Sequence, residues 1–199
     1  MIAYLSWHRP AADVAAASYE EALKRFHRSL ARRPPSGFQG STAFRVAELP
    51  WAGEPGGGED AGGGAYEDWY RLDDWTSVGV LEEAAVARGH VSRHDALAAM
   101  AALSTGAIYR LSEGQPRLEH ARVAVWVTRA HGVAPPLLAD LLADGACGER
   151  ASLWRRSLGL GPAPEYCLLA AEEPAGAAPT RLPQGWRARV CARELVYGG

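Results

Sequence analysis

Lysine is almost missing from this chain: Lys24 is the only one, and arginine supplies every other strongly basic side chain. With 21 basic against 23 acidic residues the formal charge is −2, which argues against a broad nucleic-acid surface built on clustered cations. Cysteine is scarce too. Cys147, Cys167 and Cys191 form no CxxC pair and their number is odd, so reduced thiols and a cytoplasmic location are expected. No apolar run approaches the ~20 residues that span a bilayer. The opening residues lack a basic stretch followed by an apolar one, so no membrane association and no signal peptide are expected. There is no G-x-x-x-x-G-K-[ST] loop and no G-x-S-x-G elbow, which removes the commonest nucleotide-binding and serine-hydrolase signatures.

What is present is ordinary globular material. Apolar residues make up 48% of 199, enough for one larger domain to fold without metal or disulfide. Charge is unevenly spread: residues 54–95 carry −7, flanked by +3 before them and 0 and then +2 after them. Solvated loop charge explains the acidic middle, and docking of a basic partner is the alternative. Arginine in place of lysine, with abundant alanine and glycine, is the bias of a GC-rich bacterial genome.

Periodicity predicts a strand at 3–9, with Ala3, Leu5 and Trp7 on one face and Tyr4, Ser6 and His8 on the other. A helix follows, announced by the capping-box pattern from Ser18 to Glu21, carried by Tyr19, Ala22, Leu23, Phe26 and Leu30, and stopped by Pro34-Pro35. Strands at 41–49 and 65–72 bracket a Gly-rich loop at 52–65. Asp74 is set to cap a helix reaching Val86, and Ser92 opens another to Ser104, ahead of a short strand at 108–111. The pattern then restarts with a strand at 122–128, a helix after Pro135-Pro136 closed by Gly145, strands at about 151–158 and 165–172, and a last strand at 186–196.

Three landmarks recur in order at offsets of about 120 residues: Trp7 with Trp126, Ala47-Glu48 with Ala171-Glu172, and Trp69-Tyr70-Arg71 with Trp186-Arg187-Ala188. An α+β chain of two β-α-β-β-type units follows, 1–118 and a shorter 119–199, within one compact domain. The second unit shows no clear second helix between 172 and 186. In element order the chain resembles the dimeric α/β-barrel superfamily in its fused form, two tandem ferredoxin-like repeats whose antiparallel sheets face one another as a pseudo-dimeric barrel. The runs from Asp68 to Trp75, Leu153 to Arg156 and Leu160 to Cys167 look like an uncharacterised prokaryotic family. That family brings no catalytic residue with it. The superfamily resemblance implies cofactor-independent oxygenase, cyclase, isomerase or haem chemistry inside a barrel cavity.

Within that frame His8, on the more polar strand face, is the candidate general acid or base. Tyr4, Trp69, Trp126, Arg155 and Arg189 are the candidate substrate-binding residues, the aromatics for a flat apolar metabolite and the guanidiniums for an anionic group. Arg187, Arg189 and Arg193 share a face of the last strand. His90 and His94 stand at a metal-ligand spacing but straddle a turn and lack a third ligand, so no metal and no cofactor are expected. His27 reads as a helix-end histidine, and His120 and His131 read as loop residues. The leading expectation is a small-molecule enzyme, monomer or homodimer. The alternative is a non-catalytic binding module using the acidic, aromatic stretch 66–75.

Overall fold

The computed structural model describes residues 1–47, 49, 64–130, 132, 151–161, 163–171, 182 and 184–198. The Gly-rich loop, the helix expected after Pro135, His131 and Cys147 lie outside the described residues, as does all but the edge of the 174–185 loop. Eight strands form one antiparallel sheet that closes on itself: β1 (Ile2–Pro10), β2 (Phe38–Val46), β3 (Ala65–Leu72), β4 (Ala101–Gly114), β5 (Val123–Arg129), β6 (Ser152–Gly159), β7 (Tyr166–Ala170) and β8 (Trp186–Gly198). Around the barrel the order is β1-β3-β2-β8-β5-β7-β6-β4. The first four strands therefore lie side by side as β4-β1-β3-β2, and the last four as β8-β5-β7-β6. The seams between the two sets are the β2–β8 and β4–β6 pairings.

Strand alternation decides which residues fill the barrel. Ala3, Leu5 and Trp7 of β1 point inward with Phe44, Trp69, Tyr109, Trp126, Trp154 and Cys167. Trp7 and Trp126 meet edge to face at 5.5 Å, and Trp69 meets Trp154 at 5.2 Å in the same manner. Aromatic side chains bury roughly 150–250 Å² apiece, so four indoles supply much of the apolar burial that closes the barrel.

Three helices, α1 (Ala16–Arg32), α2 (Trp75–Val86) and α3 (Val91–Ala98), accompany the first four strands. Tyr19, Leu23, Phe26 and Leu30 of α1, Leu81 of α2 and Leu97 of α3 pack with Ile2, Ala43, Tyr66, Tyr70 and Ile108, which face outward from the barrel wall. Asp74 caps α2, its Oδ1 accepting from the Ser77 amide at 3.0 Å. The expected Ser18 cap is corrected: Ala15 stands at the N-cap of α1, and Ser18 lies within the first turn with its amide donating to the Ala15 carbonyl. The helix expected at 92–104 ends at Ala98, and β4 begins at Ala101, because pairing with β1 from Pro10 to Ile2 outweighs the helical propensity of the alanines. No helix among the described residues is long and apolar enough to cross a membrane.

Candidate functional site

The face opposite Trp7 carries a cluster of polar and titratable side chains. Tyr4, Ser6 and His8 project from the outer surface of β1, and Asp68 and Tyr70 project from β3 beside them. The helix layer does not fill the space above. A cavity of about 390 Å³ remains, walled by these side chains, by Tyr19 and Phe26 of α1, by Leu81, Glu82 and Ala85 of α2, and by His94 and Leu97 of α3. Leu160, exposed at the turn after β6, also reaches it.

Asp68 is the hub. It is 1% exposed, and its Oδ2 lies 3.1 Å from His8 Nε2 and 3.3 Å from His27 Nε2. The Tyr70 hydroxyl donates to the same oxygen at 3.0 Å. Two lone pairs facing each other at such distances would repel, so each imidazole presents a protonated Nε2 to the carboxylate. The remaining nitrogens are then acceptors: His8 Nδ1 from the Tyr19 hydroxyl at 2.7 Å, and His27 Nδ1 from Ser41 Oγ at 2.7 Å. Burial by itself would raise the Asp68 pKa, but the His8 and His27 imidazoles packed against the carboxylate outweigh it and hold the carboxyl well below its usual range. Its other oxygen, Oδ1, is buried and has no donor among the described residues.

The Tyr19 hydroxyl is pushed far up by burial and by the negative charge of Asp68, so it stays protonated and acts as a donor. A chain Asp68–His8–Tyr19 thus runs along the cavity wall, all three residues lining it. Such a chain orients an imidazole and leaves a hydroxyl proton poised for transfer. Ring contacts fix it further: His8 stacks on Tyr66 at 5.8 Å, and His27 is sandwiched between Tyr70 at 5.3 Å and Tyr197 at 5.1 Å.

The structure places the other sequence candidates differently. His8 faces the helix layer and not the barrel interior, so the face expected to line a central cavity lines an outer one. Trp69 and Trp126 are core residues, and the interior expected to hold a ligand is occupied by side chains. Tyr4 does line the outer cavity, stacked on Tyr70. Arg155 is exposed, opposite Arg110 and Tyr166 on the outward face, whereas Arg189, also exposed, sits opposite Trp126 in the inward-facing register. The two guanidiniums therefore do not converge on one anion site. The stretch 66–75 is no exposed aromatic surface either, because Tyr66, Trp69 and Tyr70 are buried and only Trp75 stands out.

One further histidine reading is corrected, that of His27. His27 is fully buried against Asp68 instead of lying on a polar helix face. His90 is buried, with Nδ1 at 2.9 Å from Ser29 Oγ and Nε2 at 3.2 Å from the Arg33 carbonyl, so both its nitrogens are engaged. No group of three potential metal ligands occurs among the described residues. The Cys167 thiol is raised well above its ordinary value by burial, which leaves it an inert core group.

Sequence reasoning passed over Glu67 and Asp68. Glu67 points into the barrel, where Arg193 Nη2 lies 2.8 Å from its Oε1 and both side chains are fully buried. Trp7 and Trp69 each donate an indole N–H to its carboxylate, at 3.1 and 2.6 Å. The Arg193 guanidinium lies 3.5 Å above the Phe44 ring. The available signal was the setting: both acids stand in a strand flanked by Tyr66, Trp69 and Tyr70, which leaves neither of its faces for water. No known protein-family model matches this chain, and no curated protein matches it.

Proposed function

We propose that this protein is a small-molecule enzyme that moves a proton on an apolar substrate held between the barrel wall and its helices, in the manner of an isomerase or cyclase. The observation that carries this reading is the Asp68–His8–Tyr19 chain on the wall of a 390 Å³ cavity. Asp68 fixes the His8 tautomer, Nδ1 is left as the basic atom, and Tyr19 relays the proton to and from the substrate. The apolar lining from Phe26, Leu81, Ala85 and Leu97 keeps bulk water from competing. The strand order β4-β1-β3-β2 beside β8-β5-β7-β6 supports the accompanying view of two tandem ferredoxin-like repeats from an ancestral duplication.

The test begins with freshly purified protein, whose retained small molecules are identified by mass spectrometry and returned to it in deuterated buffer. The wild type introduces deuterium or converts the compound, and a folded His8→Ala variant does so at least 100-fold more slowly, the lower bound of about 10²–10⁴ for a positioned acid–base group. A compound that binds the cavity and passes unchanged through both proteins would leave a binding role and remove the enzymatic one.

A further inference from the structure

The charges around the cavity restrict what enters it, and this inference rests on reading the cavity as a ligand site. The charged or titratable groups on its wall are His8 from β1, Asp68 from β3, Glu82 from α2 and His94 from α3, together with the hydroxyls of Tyr4, Tyr19 and Tyr70, while β4 adds only apolar side chains and Ser104. No arginine or lysine lines it among the described residues, although the chain holds 20 arginines. A buried carboxylate or phosphate needs a counter-charge or several donors, and arginine is the side chain most often used to supply both.

Asp68 makes the exclusion active. Burial raises the hydroxyls of Tyr4, Tyr19 and Tyr70 most, and the negative charge of Asp68 adds to the shift, so its field opposes the formation of an anion at three places on the wall. A ligand anion among those hydroxyls meets the same field. A ligand donor meets the opposite situation, since Asp68 stands on the cavity wall and its Oδ1, buried in the free protein, has no donor among the described residues. The rings of Tyr4, Tyr19, Phe26 and Tyr70 offer faces that suit an apolar body and tolerate a cation.

We infer that the cavity takes an apolar molecule whose polar group is a hydroxyl or an amine, bound through a donated hydrogen bond directed to the Asp68 side of the site, and rejects its carboxylate counterpart. The volume fits one compact ligand of one or two rings, or a short chain.

The experiment uses matched sets of three on phenyl, naphthyl and n-octyl bodies, each as the alcohol, the primary amine and the carboxylate, titrated into the intact protein by calorimetry. Within at least one set the alcohol or the amine is expected to bind 10-fold or more tightly than the carboxylate. Filling the cavity with Leu81→Trp should abolish that binding, and this places it at the site. A carboxylate that binds as tightly as its partners, lost again in Leu81→Trp, overturns the selectivity but leaves the cavity as a ligand site. If no member of any set binds, or binding survives Leu81→Trp, the cavity itself fails as the site and the proposed function falls with it. Asp68→Asn adds a second check: the preference over the carboxylate shrinks in a variant whose circular dichroism matches the wild type.

Discussion

Glu67 and Asp68 are neighbours in sequence whose carboxylates lie on opposite sides of one strand, each buried and each matched to its own cationic or imidazole partners. Glu67 meets Arg193 inside the barrel, and Asp68 meets His8 and His27 outside it. β3 thus separates a buried ion pair from a buried carboxylate–imidazole cluster by the thickness of a single peptide.

The inner pair is expected to stabilise mainly by being complete. Burial pulls the Arg193 pKa down while Glu67 pushes it back up, the signature of a charge tolerated only beside its partner. Glu67→Gln should cost about 3–5 kcal/mol, because it leaves a guanidinium uncompensated in an aromatic core. The double variant Glu67→Gln with Arg193→Met should recover part of that loss. Urea unfolding of Glu67→Gln, Arg193→Met and the double variant decides the matter, and a double variant as unstable as the two single losses added together would contradict it.

Asp68 governs the acid limb of stability. Its carboxyl titrates below the ordinary value of 3.8, so the unfolded chain binds a proton at a pH where the folded site does not. Its stabilising effect is complete above about pH 5, declines as pH falls through the ordinary carboxylate range, and is gone below the folded value. Asp68→Asn should lose about 1–3 kcal/mol at neutral pH by leaving the imidazole N–H groups without their carboxylate. The gap between wild type and variant should then narrow as the pH is lowered from 5 to 3. Thermal melts across that range test the sign, and a gap that widens towards acid would refute it.

Tyr19 and His8 act in series in the proposed relay, so their effects should not add. Tyr19→Phe keeps the ring and removes the hydroxyl that His8 Nδ1 accepts from. Stability should fall by about 0.5–1.5 kcal/mol, whereas proton transfer should fall nearly as far as in His8→Ala. The double variant should be no slower than the worse single one. Deuterium exchange into the retained compound measures all three, and independent, multiplying losses would separate Tyr19 from His8.

Much of this was legible in the residues. The alternation of Ala3, Leu5 and Trp7 against Tyr4, Ser6 and His8 correctly divides β1 into two faces, and Asp74 announces its own helix cap. Which face turns inward was not legible locally. Polar side chains suggest a cavity and apolar ones a core, but in a closed barrel the core is the interior, and the working face looks outward at the helices. Asp68 escaped notice for a related reason. Its partners His8 and His27 come from β1 and α1, brought to β3 by strand order and helix packing, and no spacing along the chain encodes that meeting. The end of α3 was misread because alanine favours helix wherever tertiary pairing does not intervene, and at Ala101 it does.

Gly106 of β4 lies opposite Ser6 of β1, close against the ring of Tyr4 on the cavity wall. A Cβ there would stand 2.8 Å from the Leu5 carbonyl oxygen and 3.0 Å from the Tyr4 ring. Gly106→Ala must therefore push β4 away from β1 or displace Tyr4. A loss of about 1–3 kcal/mol is expected, as for other overpacked sites. Ligand affinity should fall with it, because Tyr4 is part of the wall. Chemical denaturation and calorimetry on the same sample test both, and unchanged values in each would show that the strands have room to spare.

The seam between β2 and β8 carries a consequence for how the molecule comes into being. β2 ends at Val46, and the residues it pairs with begin at Arg193. On the ribosome, β2 must wait for nearly the whole chain to be made before its open edge is covered, and contacts so distant in sequence form slowly. Until β8 emerges, the nascent protein exposes a bare strand edge and an unfinished tryptophan core, the kind of surface that chaperones grasp.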